Sequence, residues 1–185
     1  MAGKFEAGRL RQIGLVKTMD DMGQAGSTKD QALVEYKVDR VLDETNTDTK
    51  IVVLARHDGQ ADSFPIWVGA AEGHAIKLAL DTTITPRPMS HDLIKSFVDH
   101  LGITVRRIVI ADVKNSTYYA MVHLENHGVE RTVDARPSDA LSLALRTHAP
   151  IYITQDVLAR RSTANLDSWL AKLDSKNIKQ EVPES

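Results

Sequence analysis

Cysteine is absent from the 185 residues. Disulfide frameworks, thiolate zinc sites, iron–sulfur clusters and cysteine nucleophiles are therefore excluded. Aromatic residues are scarce at 5%, leaving Trp67, Tyr118, Tyr119 and Tyr152 as candidates for the stacking platforms that single-strand binding relies on. There is no surplus of positive charge: 23 Lys and Arg stand against 25 Asp and Glu, a formal net charge of -2. A protein that coats nucleic acid needs excess cations to displace counterions, so a histone-like role is excluded. No apolar run approaches the ~18 residues of a membrane helix. The first 28 residues carry Lys4, Glu6, Arg9, Arg11 and Lys17 with no continuous apolar stretch, unlike a signal peptide. The expectation is a cytoplasmic protein with no membrane partner. HExxH, GxGxxG, phosphate-loop and GxSxG patterns are missing.

What is present is an ordinary globular texture, 42% hydrophobic and 26% charged. Residues 1–33 read as a flexible leader, 34–160 as one domain, and 161–185 as a short helix and a frayed tail. Val34 to Val41 alternates apolar and polar residues, the period of a half-buried strand. Short apolar strands are expected at Ile51–Ala55 and Phe64–Val68, followed by a helix carrying Ala71, Ala75, Ile76 and Ala79 on one face. Ser90 is placed to cap a second helix whose apolar stripe is Leu93, Ile94, Phe97, Val98 and Leu101, with Gly102 as its stop. Two strands flank Lys114-Asn115-Ser116 as a hairpin, and a third follows Asn126-His127-Gly128. Pro137 opens a helix that is apolar nearly all round and so is expected to be buried. Ile151–Ile153 and a short helix from Asp156 complete the domain. The fold class is α+β: a largely antiparallel mixed sheet with several packed helices in a single domain.

One internal echo carries the candidate chemistry. Arg87-Pro88-Met89-Ser90-His91-Asp92-Leu93 resembles Arg136-Pro137-Ser138-Asp139-Ala140-Leu141, each placing Arg-Pro before a helix with Ser and Asp in its first turn. Helix N-termini with a guanidinium beside them suit phosphate, which assigns Arg87, Ser90, Arg136 and Ser138 to phosphate binding. Asp92 and Asp139, with Glu72 at the start of another helix, could ligate a divalent metal, Mg or Mn. His91 could transfer protons. Adjacent His91 and Asp92 diverge by about 100° on a helix and seldom bind one metal together. A structural reading accounts for the same residues: Ser and Asp cap helices, and Arg pairs with carboxylates to fix the buried helix in place.

Phe64-Pro65-Ile66-Trp67-Val68-Gly69 with Glu72 and Ala75-Ile76, then the Arg87 to Leu93 block, Tyr118-Tyr119-Ala120, Asp134-Ala135-Arg136-Pro137-Ser138-Asp139-Ala140-Leu141 and Ala149-Pro150-Ile151-Tyr152 occur in this order. Together they closely resemble the bifunctional nuclease family, from about Val34 to Arg160. The resemblance implies an α+β domain that associates as a homodimer and a nuclease acting on RNA or single-stranded DNA. It places Arg87, His91, Asp92, Asp134, Arg136, Ser138 and Asp139 on motif positions, and with the chemistry above it makes His91, Asp92, Asp134 and Asp139 the candidate catalytic residues. Asn115-Ser116 departs from the family's Asp-Gly-like turn, and Gly73-His74 from its small or amide residues. The alternative is a non-catalytic oligomeric module that binds a phosphorylated small ligand or a protein partner.

Overall fold

The computed structural model describes residues 32–161 apart from 45, 46 and 116. Residues 1–31 of the expected leader and the expected tail helix lie outside these residues, and Leu33, placed at the end of the leader, opens the first strand. Seven strands form one sheet: β1 (Leu33–Asp43), β2 (Thr49–Arg56), β3 (Ser63–Gly69), β4 (Thr104–Lys114), β5 (Thr117–Asn126), β6 (Val129–Ala135) and β7 (Ile151–Thr154). Their order is β3-β2-β1-β7-β4-β5-β6. Only the β4–β7 pair is parallel; the other neighbours run antiparallel. The helices are α1 (Ala70–Leu80), α2 (Ser90–His100), α3 (Pro137–Thr147) and α4 (Gln155–Arg160).

The sheet is strongly curled. Phe64 on β3 and Tyr118 on β5 lie five places apart in the strand order, yet their ring centroids are 5.1 Å apart. Such contact requires the sheet to fold toward its own far side, the usual right-handed twist carried further by bulges in β1 and β4. Tyr36, Val52, Leu54, Ile108, Ile110 and Ile153 line the core, and Leu141 of α3 packs on them. Tyr118 and Tyr119 point to opposite faces, as strand alternation requires: Tyr118 is half-buried against Phe64, while Tyr119 is exposed under the Lys114 ammonium.

Helix α3 is buried as its composition predicts, with six of its residues inside. Helix α1 lies close along β2 through Gly73, where any Cβ would come within 2.6 Å of the Lys50 Cβ. Helix α2 departs from expectation. None of its residues is buried, and Leu93, Ile94, Phe97 and Leu101 are 45–62% exposed. Periodicity groups apolar residues on one face but does not say what the face meets. Only Val98 of the stripe packs against the core.

Candidate functional site

Three helix N-termini meet at one rim of the sheet. β3 runs directly into α1, and β6 runs into α3 through Arg136, whose extended backbone and following Pro137 start the helix sharply. The curl of the sheet brings these two junctions together, and α2 begins beside them. Arg136 is the hub. Its NH1 donates to Glu72 Oε1 at 2.9 Å, its Nε to Asp139 Oδ2 at 2.9 Å and its NH2 to Asp139 Oδ1 at 3.2 Å. The fork on Asp139 is bidentate, the geometry that makes guanidinium–carboxylate pairs specific. His91 joins from α2, its Nε2 3.2 Å from Asp139 Oδ1. Glu72, His91, Arg136 and Asp139 thus form one connected cluster drawn from three helices.

The electrostatics follow from these partners. Glu72 is held below the usual carboxylate range by its own backbone N–H and by Arg136. Burial pushes Asp139 upward, but its hydrogen bonds to Arg136 and His91 outweigh that, and its net shift is downward. Asp139 and then Glu72 raise Arg136 further, so the guanidinium stays charged. Arg136 is nevertheless 64% exposed and reachable by a ligand, whereas the His91 side chain is 14% exposed.

Asp92 lies elsewhere. Its Oδ2 accepts from the Met89 N–H at 2.9 Å, and its Oδ1 from Arg146 Nε. Met89, not Ser90, is therefore the N-cap of α2, because the Asp92 carboxylate at the third helical position reaches back to the cap N–H. Ser90 is exposed in the first turn. Arg146 fixes this corner: its side chain is 8% exposed, and it also donates to the carbonyls of Ser142 at 3.0 Å and Ala75 at 3.3 Å. It ties all three long helices together, and its pairing lowers Asp92. Sequence reading missed Arg146, although a cation in an otherwise apolar helix was a usable signal.

The remaining expected residues are scattered. Ser138, expected to meet a phosphate, is 7% exposed and enclosed. Arg87 is exposed in the loop before α2, and among the described residues its side chain has no ion-pair partner. Asp134 is exposed on β6, opposite Met121. The three-carboxylate metal set of Glu72, Asp92 and Asp139 does not assemble: two of its members share Arg136 and the third faces Arg146. Among the described residues no three His, Cys, Asp or Glu side chains are grouped to hold a metal ion.

A model of the bifunctional nuclease domain matches residues 52–165. The chain belongs to the bifunctional nuclease domain family. An uncharacterized protein of Mycobacterium tuberculosis is 37% identical over 109 residues, 58% of this chain and 65% of that one. Bifunctional nuclease 1 of Oryza sativa subsp. indica is 28% identical over 109 residues, 57% of this chain and 33% of its own length. Bifunctional nuclease 2 of Arabidopsis thaliana is 28% identical over 107 residues, 56% of this chain and 32% of its length. The match therefore spans under two thirds of the mycobacterial protein and about a third of each plant protein. Every residue of the Glu72–His91–Arg136–Asp139 cluster falls within the family match. No helix among the described residues is long and apolar enough to cross a membrane.

Proposed function

We propose that this protein is a nuclease that hydrolyses phosphodiester bonds of RNA or single-stranded DNA. The observation carrying the reading is the convergence of His91, Asp139 and Arg136 at a rim where three helix N-termini meet. Backbone N–H groups and positive helix ends favour an anion there. Arg136, the exposed member, exchanges a carboxylate for a substrate phosphate, and the unpaired Arg87 holds a neighbouring one. Asp139 accepts from His91 Nε2 and fixes the tautomer, leaving Nδ1 to take a proton from attacking water and return it to the leaving oxygen. Water oxygen bonds to phosphorus as the P–O ester bond breaks. Glu72 orients Arg136.

Family membership supports the substrate class, and the Arg136 exposure supports access. We further propose a homodimer. The stripe of α2 is left largely uncovered, with Leu93, Ile94, Phe97 and Leu101 exposed. A second copy packing on this face in a two-fold contact covers it.

The test is cleavage of labelled single-stranded RNA and DNA, with Mg²⁺, with Mn²⁺ and with chelator. Asp139→Asn and His91→Gln are expected to lower turnover at least 100-fold, while Lys77→Ala leaves it unchanged. Equal activity in all four proteins, or none in the unaltered one, overturns the assignment.

A further inference from the structure

Tyr119 lies outside the core, on the face of β5 turned away from Tyr118 and Phe64, and its side chain is 40% exposed. Two features of the sheet decide what surrounds it. The β5–β6 ladder ends on the pair Ala120 and Ala135. The next residues in register are Tyr119 and Arg136, and Arg136 keeps extended backbone before α3 begins. Opposed residues of an antiparallel pair have Cα atoms about 4.5–5.5 Å apart. On the other flank, β4 carries a bulge at Ala111, since Ile110 pairs with Ala120 and Asp112 with Tyr119. The extra residue turns Asp112 and Lys114 onto the Tyr119 face. Lys114 Nζ lies 5.4 Å from the ring centroid and 2.9 Å from Asp112 Oδ2.

Three adjacent strands therefore set cation, ring and cation side by side: Lys114 from β4, Tyr119 from β5 and Arg136 from the end of β6. Both cations are accessible, Lys114 at 67% and Arg136 at 64%. Asp112 adds no free negative charge here, because Lys114 and Arg160 share it. Asp134, opposite Met121 on the same face, is exposed and carries the local negative charge. Cations that track a phosphate backbone, with an aromatic face between them, are the means by which proteins hold single strands without reading their sequence.

We infer that Tyr119 is a base-stacking platform for a single-stranded nucleic acid whose phosphate is held at Arg136. The inference rests on the proposed nuclease reading and deepens it by naming a substrate-positioning residue. The stacked base belongs to a nucleotide flanking that phosphate, because Tyr119 and Arg136 are opposed across the ladder. The ammonium over the ring yields to the base. A cation–π contact at an exposed site is worth about two- to fivefold in affinity, whereas a base on an aromatic ring is worth about five- to 150-fold. Lys114 is then left to a phosphate, and repulsion from Asp134 directs the strand past Lys114 rather than along β6. Every base has a π-face, so the platform accepts all of them. It excludes a duplex, whose bases are already stacked on one another.

The test uses the full chain and short phosphorothioate single strands, which resist hydrolysis, with binding read by fluorescence anisotropy. One strand carries bases throughout; the other has equal length and charge but is abasic. Tyr119→Ala is expected to weaken the base-bearing strand about tenfold and leave the abasic strand unchanged. Tyr119→Trp keeps the ring and the affinity, and Lys77→Ala on α1 changes neither strand. With a cleavable strand, Tyr119→Ala is expected to raise KM about tenfold at nearly constant kcat, the pattern of lost substrate binding. Equal losses on both strands, unchanged binding in Tyr119→Ala, or no binding by the unaltered protein overturns the platform. Tyr119-dependent binding by a protein that cuts neither RNA nor DNA overturns the nuclease reading and leaves the platform standing. Cleavage with KM and kcat both unchanged in Tyr119→Ala does the reverse.

Discussion

Arg146 offers the sharpest quantitative check on how the site is held. Its side chain is 8% exposed and bonds one carboxylate and two backbone carbonyls. Arg146→Met keeps much of the aliphatic volume and deletes the charge. Breaking a buried ion pair by removing one partner costs about 3–5 kcal/mol. Asp92 is 35% exposed and still caps α2, so its stranded charge is partly rehydrated and the lower end, about 3 kcal/mol, applies here. Asp92→Asn keeps a carbonyl oxygen for the Met89 N–H but strands the more deeply buried guanidinium, and costs about 2 kcal/mol. The double variant loses the pair without leaving a lone charge. Its cost should fall short of the sum of the singles by about 1–2 kcal/mol. Urea melts with a constant m-value measure all three. Arg146 also lowers Asp92. A carboxyl lowered by folding contributes stability that is present above its unfolded value and lost as pH falls through its folded value, so Arg146→Met removes that part of the acid sensitivity. Strict additivity, or a loss below about 0.5 kcal/mol in Arg146→Met, refutes the claim that this residue clamps three helices.

Gly73→Ala should destabilise by about 1–3 kcal/mol in the same melts, because the new Cβ meets the Lys50 Cβ and overpacking outweighs the helix-propensity gain. His123 is pushed down to about 4 by burial and then by Arg107, whose NH2 lies 3.3 Å from its Nδ1. Between the ordinary value near 6.5 and 4 the unfolded chain binds a proton that the folded chain refuses. Stability therefore declines as pH drops through that window, by about 1–2 kcal/mol after allowance for solvent screening, and His123→Gln should remove this component relative to the unaltered protein. Phe97→Ser, at a side chain 59% exposed, should change monomer stability by less than about 1 kcal/mol yet shift the mass seen by light scattering from dimer to monomer; an unchanged mass counts against self-association through α2.

Much of the fold was legible because its signals are local. Alternation in β1, the turn at Asn115 and the Asn126-His127-Gly128 turn specify strands and hairpins through neighbours a few residues apart. Pro137 and the apolar run after it specify a buried helix in the same way. The divergence of His91 from Asp92 was legible too, since 100° per residue is fixed by helix geometry. The pairing of Arg136 with Asp139, three residues apart, is equally local. Their meeting with Glu72, 64 residues from Arg136, is not.

The sequence by itself determined which segments are strands and helices, which residues share a face, and that two Arg-Pro turns open helices with an aspartate in the first turn. Only the tertiary structure decided that Asp139 faces His91 and Glu72 while Asp92 turns to a buried Arg146, and that the stripe of α2 is left uncovered. Secondary structure is set by hydrogen bonds and side-chain periods within a few residues. Which carboxylate meets which guanidinium depends on how far the sheet curls and where it sets the helix ends, and no local pattern encodes that.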